Sequence, residues 1–294
     1  MPSLKEVRNR IRSVTSTQQI TKAMKMVAAA KLRKAQDAMM QMRPYAGKLN
    51  EILSNLSSNP DILADNPYTK IRPEEKILLI IVTSDRGLCG PFNSNVLKNT
   101  VALLSDKYAE QHKNKNVTFL CIGKRGYEFF HKRYPDKVIS DYAYILHGVT
   151  FEKVKEAAEN AMSGFEAGLY DKIEIIYNEF KNVATQILRV EQFLPVIPQA
   201  STETKQNNDY IFEPSADLIV NELVPKSLKI KFYRAVLESN ASEQGARMTA
   251  MDKATDNAGE LLKELKIMYN RTRQAAITKE ILEIVGGAEA LAAK

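Results

Sequence analysis

From about residue 215 to Lys294 the chain carries nothing that must end a helix except Pro225, close to the start of the stretch. That feature restricts the fold more than any other. A continuous helix of roughly 75 to 80 residues, at ~1.5 Å per residue, would be about 115 Å long, several times the diameter of a small domain. Such a rod needs a partner along its length.

The opposite end of the chain supplies one. Ser3 and Glu6 have capping-box spacing, and a helical pattern follows to about Ser57. Apolar residues recur at Leu4, Val7, Ile11 and Val14, change phase through Ile20, Met24 and Val27, and resume at Leu32, Ala35, Met39, Met42, Leu49, Leu53 and Leu56. That 3,4 spacing is what a coiled-coil seam requires, and Leu237, Ala241, Met248, Met251, Ala258, Leu262 and Leu265 offer a matching one. The change of phase argues against a long, regular supercoil. If the two helices leave a folded domain together near residues 57 and 216, antiparallel partners have numbers summing to about 270. Met24 is then expected beside Arg247. The N-terminal helix runs out when its partner reaches about residue 270, at ~1.5 Å per residue on both sides. Beyond it, ITKEILEIVGGAEALAA is apolar around much of its circumference, which implies burial in something outside the chain.

Charged residues make up 26 % and the mean hydropathy is -0.31, the balance of a water-soluble protein. The longest strictly aliphatic run, Ile77 to Val82, is too short to cross a bilayer, and the basic N-terminus is followed by no continuous apolar segment of a secretory signal. Cys89 and Cys121 are too few for a disulfide framework and suit a reducing compartment. Residues 1–57 hold eleven Lys or Arg against three acids, +8 of a chain total of +7, so the remainder sums to -1. The excess can be a solvated face or can meet an acidic partner, protein or nucleic acid. Nucleic acid is the weaker choice, because residues 1–44 contain no aromatic side chain to stack on bases.

The middle of the chain reads differently. Pro44 is expected to kink the first helix, and Asn59, Pro60, Asn66 and Pro67 mark a linker. Strands are expected at 76–84, 117–123, 172–179 and 186–194, with helices at 95–112, 124–134 and 149–168 between them, and a polar loop over 199–214. Alternation of this kind gives a mostly parallel, Rossmann-like sheet. The fold class is therefore α/β plus a long antiparallel α-helical coiled coil. It divides into an N-terminal helix over 1–57, a linker over 58–74, an α/β domain over 75–214 and a C-terminal helix over 215–294.

SDRGLCGPFN, residues 84–93, follows the first strand, where a glycine loop can cradle phosphate on a helix N-terminus. It matches neither GxGxxG nor the P-loop, and a tight turn accounts for Gly87 and Gly90 without a ligand. Cys89 could be a nucleophile near a helix start, but nucleophilic catalysis wants a base within reach. His112, His131 and His147 are scattered and have no metal-ligand spacing, so a half-buried structural cysteine is the better reading. The methionines at 24, 26, 39, 40, 42, 248, 251 and 268 suit seam packing better than a cofactor box.

Residues 4–36, SDRGLCG (84–90), YNEFKN (177–182) and ASEQGARMTAMDKATDNAGELLKEL (241–265) together resemble, in order and over the whole length, the gamma subunit of the F-type ATP synthase, bacterial type. So do Ile277, Thr278, Glu280, Glu283, Gly287, Ala288 and Ala290 near the C-terminus. The resemblance implies a central rotor shaft, non-catalytic and without a cofactor of its own. Its partners would be the alpha, beta and epsilon subunits and the membrane c-ring, with no nucleic acid and with the ATP chemistry on beta. Its place would be the cytoplasmic face of the bacterial plasma membrane, held there peripherally through the complex. The family's coupling contacts fall here on Met24, Lys25, Arg247, Arg273, Gln274, Thr278, Glu280 and Glu283. Lys25 departs from members that have an acid there, and the chloroplast members' cysteine insertion is absent.

Overall fold

The computed structural model describes residues 3–56, 66–197 and 216–292. Asn59, Pro60 and the 199–214 loop lie outside the described residues, as do the side chains of Leu53 and Leu56. The chain forms two units, one of residues 28–247 and one of residues 1–27 with 248–294.

The larger unit is built on β1 (Ile77–Val82), β2 (Val117–Ile122), β3 (Val138–Ile139), β4 (Lys172–Phe180) and β5 (Gln186–Leu194), in the order β3-β2-β1-β4-β5. The first four strands are parallel and β5 returns antiparallel to β4, so the sheet is mostly parallel as expected. β1 is aliphatic throughout because both faces are covered. On one face Leu78, Ile80 and Val82 pack with α5 (Phe151–Glu166) and with Val224, Leu228, Phe232 and Val236 of the last helix, α6 (Ala216–Ala292). On the other, Ile77, Leu79 and Ile81 meet α2 (Phe92–Ser105), Tyr108 and α4 (Lys124–His131).

One expected helix, 95–112, is two: α2 stops at Ser105 and the short α3 (Ala109–Lys113) follows. Tyr108 turns fully into the core between them, and that inward aromatic breaks the run. β3 has only two residues and no readable pattern. The β2–α4 turn depends on Gly123, whose φ is +99° and where a Cβ would lie 2.4 Å from the Thr83 carbonyl oxygen.

The first helix, α1 (Leu4–Leu56), continues through Pro44, and α6 continues through Pro225. In the larger unit, Leu32, Ala35 and Met39 of α1 cluster with Leu237 and Ala241 of α6. In the smaller unit the two helices run antiparallel. The Thr21 and Thr255 hydroxyls are 2.8 Å apart, Gln18 Nε2 donates to the Thr255 carbonyl at 3.4 Å, and Lys25 pairs with Asp252. Facing positions therefore sum to 276 (Thr21 with Thr255) or 277 (Lys25 with Asp252), not 270.

The expected change of phase in α1 is also corrected. Val7, Thr21 and Ala28 are buried and Ile11, Val14, Gln18 and Lys25 half-buried, which keeps one unbroken 4,3 rhythm. Ile20 and Val27, expected on the seam, are each 56 % exposed. The seam is polar where the neighbouring apolar residues suggested a shift, and hydroxyl, amide and ion-pair partners across it make that polarity tolerable.

Candidate functional site

The loop after β1 is tied by its own side chains. Asn93 Oδ1 accepts from the Ser84 amide at 2.9 Å, and Asn93 Nδ2 donates to Ser84 Oγ at 2.7 Å and to Cys89 Sγ at 3.3 Å. Ser84 Oγ donates to the Arg86 carbonyl at 2.7 Å. Cys89 sits with Phe92 and Ala246 at 1 % exposure. With both ends of the loop held, Leu88 takes a φ of +64° and stands 67 % exposed at the tip, although a positive φ is unusual for a leucine.

Arg247 of α6 closes the arrangement. Its guanidinium donates to the Gly87 carbonyl at 2.5 Å and to the Arg86 carbonyl at 3.2 Å, and pairs with Glu243 one turn back on the same helix. Glu243 is deeply buried, which pushes its carboxyl up, while the Arg247 guanidinium opposes that push. The loop thus offers carbonyl oxygens to a cation. A phosphate cradle needs converging N–H groups, the opposite polarity to the two carbonyls that meet Arg247. Burial raises the Cys89 thiol and pushes Cys121 up to about 12, which leaves neither sulfur activated as a nucleophile. Among the described residues, His147 lies 2.9 Å from Asp85 and not beside Cys89, and no cluster of three or more metal-ligating side chains occurs.

The other residues expected at partner contacts fall into two sets. Met24 is half-buried, and so is Lys25, which is held 2.5 Å from the half-buried Asp252. Arg273, Gln274, Thr278, Glu280 and Glu283 are all exposed on α6. Thr278 Oγ1 donates to the Gln274 carbonyl at 3.0 Å and Lys279 lies 3.6 Å from Glu283, both within the helix. Around them Ile277, Ile281, Leu282, Ile284 and Val285 are bare, Ile284 at 71 % exposure. Residues 280–288 have no buried face among the described residues, as expected of a helix end that outruns its partner.

Arg247 departs from the rest: both of its terminal guanidinium nitrogens bond inside the larger unit. Asn93 and Glu243 were not singled out by the sequence reading. The i,i+4 spacing of Glu243 and Arg247 was visible, but nothing in the sequence reveals that Asn93 props the loop that receives the guanidinium.

A family model described as "ATP synthase" matches residues 3–291. The chain is similar to proteins named ATP synthase gamma chain: 58 % identical to that of Cytophaga hutchinsonii and 55 % to that of Flavobacterium johnsoniae, in each case over 99 % of both chains. Among solved structures it is similar to a chain of the Tetrahymena thermophila mitochondrial ATP synthase, central stalk and c-ring. That match is 27 % identical, covers 80 % of this chain and 99 % of the other, and has a TM-score of 0.63. A chain of the Euglena gracilis mitochondrial ATP synthase shares the fold at 21 % identity and a TM-score of 0.65, over 98 % and 94 % of the two chains.

Proposed function

This chain belongs to the ATP synthase family, among its gamma chains, and from that premise we infer that it is the non-catalytic central shaft that couples rotation to ATP turnover. The observation that carries the reading is the bare apolar end of α6, because a helix with Ile281, Leu282, Ile284 and Val285 all exposed requires a sleeve supplied by other chains. We assign that sleeve to a ring of alpha and beta subunits, and the foot of the shaft to epsilon and the c-ring. The complex would hold the chain peripherally on the cytoplasmic face of the plasma membrane.

Coupling by a shaft is differential contact. One helix pair cannot touch three like neighbours alike, so each angular position favours a different conformation in each, and turning the shaft exchanges those preferences. Arg273, Gln274, Thr278, Glu280 and Glu283 on the exposed side of α6, with Met24 and Lys25 on the helix pair, are the proposed partner-facing residues. The exposed Arg8, Arg12 and Lys22 favour acidic partner loops.

Two measurements test this. The chain should co-purify from membrane extracts with the ATPase ring, and purification free of any such chains would end the reading. In reconstituted vesicles, Arg273→Glu should lower ATP-driven proton pumping by turning attraction to acidic loops into repulsion, and unchanged pumping would remove Arg273 from the contact set.

A further inference from the structure

The α6 stretch from Ala241 to Arg247 is buried at every position, and Arg247 is the last residue of the sheet-bearing unit before the helix passes into the other. A shaft that transmits torque must not slip against the domain that turns it. At this point the attachment consists of a guanidinium on two backbone carbonyls, a loop propped by Asn93, and the apolar contact of Cys89 and Phe92 with Ala246.

We propose that Arg247 and Asn93 are positioning residues, together forming a clamp that pins the Ser84–Gly90 loop to α6, so that the sheet and the part of α6 packed on it within the larger unit turn as one body. The proposal rests on the shaft reading above and gives Arg247 a task within this chain, distinct from touching a neighbouring subunit. Two features support an internal task. The guanidinium reads carbonyls that no side-chain change can remove, and Glu243 keeps it oriented from one turn away. Asn93 uses both ends of its amide on the loop, so it shapes the acceptor without touching Arg247.

The test uses the assembled complex in inverted membrane vesicles, with protons pumped per ATP hydrolysed as the readout and the amount of chain in each complex measured alongside. Arg247→Gln should lower that ratio by about fivefold or more, the low end of ordinary coupling between sites, while hydrolysis continues. Arg247→Lys should lower it too, because an ammonium lacks the planar fork whose two terminal nitrogens each take one carbonyl. A charge contact to a partner would tolerate lysine. Asn93→Ala should reproduce the loss, and the double variant with Arg247→Gln should be no worse than Arg247→Gln alone, since both act through one loop. Additive losses would overturn the clamp.

A covalent substitute decides the matter even where Asn93→Ala does not assemble. Ala246→Cys sits against the native Cys89, and mild oxidation should join loop to helix. On the Arg247→Gln background the crosslink should restore pumping. A crosslink that forms without restoring it would show that Arg247 acts elsewhere, and failure to crosslink would contradict the packing of the loop on α6. If the unaltered chain itself failed to support coupled pumping, the shaft reading would fall; normal coupling by Arg247→Gln beside a coupled control would remove the clamp alone.

Discussion

Two stretches of one helix differ as much as helical residues can. Between Ala241 and Arg247 every residue is buried, polar ones included, whereas from Ile277 to Gly287 every residue is exposed, apolar ones included. Composition alone would assign them the other way round, because ASEQGAR is more polar than ITKEILEIVGG. The enclosed stretch carries the small Ala241, Ser242, Gly245 and Ala246, which let the β4–β5 turn, a loop and a second helix approach, and its charges are neutralised internally by the Glu243–Arg247 pair. The bare stretch has no such neighbours among the described residues. One part is therefore designed to be held and the other to be gripped, and substitutions should separate the two.

The largest expected effect is on the enclosed side. Ala241 is fully buried beside Leu32, Ala35, Met39 and Leu237, so Ala241→Leu forces three extra carbons into filled space. It should destabilise the chain by about 3 kcal/mol, at the upper end for overpacking, seen as a lowered denaturant midpoint. On the bare side, Ile284→Ala should leave the free chain's stability within about 0.5 kcal/mol, as for other surface positions, yet weaken retention in the assembled complex. Equal effects of the two substitutions on the free chain would erase the distinction.

An intermediate effect is expected where α6 meets the sheet. Tyr177 donates to Glu191 at 3.0 Å, and Lys231 and Arg234 lie 3.2 and 3.4 Å from the same carboxylate. Burial pushes Glu191 up, but the neighbouring Lys231 and Arg234 outweigh it and hold the carboxyl below its ordinary value. A lowered carboxyl stabilises fully above the ordinary carboxylate range, and that stability is lost as pH falls through the lowered value. Glu191→Gln should cost about 2 kcal/mol at neutral pH, the scale of hydrogen bonds to charged groups, and should flatten the acid limb of the stability curve. An unchanged acid limb would show that the group titrates normally.

These elements were unequally legible. The aliphatic run of β1, the strand–helix alternation and both terminal helices follow from periodicity, and the structure places them within a few residues of expectation. An antiparallel sum of 270 requires both helices to leave the domain at one level. In fact α6 first packs Val224 to Val236 on the sheet, and how far it travels before meeting α1 is not written in any local pattern. The seam through Gln18, Thr21 and Lys25 was missed for a related reason: polar residues paired with each other leave no hydrophobic trace, while Ile20 and Val27 beside them leave a misleading one. The clamp was legible only in part, since tertiary structure alone shows that the loop turns its carbonyls toward Arg247.

The smallest expected effect probes that polar seam. Lys25 and Asp252 approach to 2.5 Å, but each side chain remains more than a third exposed, so water competes for both charges. Lys25→Ala should change the free chain's stability by no more than about 0.5 kcal/mol, the usual range for exposed ion pairs, and should do so less at high salt. Thr21→Val is the matched comparison, because Thr21 is buried and its hydroxyl faces Thr255. It leaves the Thr255 hydroxyl without its partner across the seam while adding apolar surface, and its bond to the Met251 carbonyl, within its own helix, keeps that hydroxyl satisfied. Thr21→Val should therefore be neutral to slightly stabilising. A loss well above 1 kcal/mol for either substitution would mean that the seam's polar layer sets its strength as well as its register.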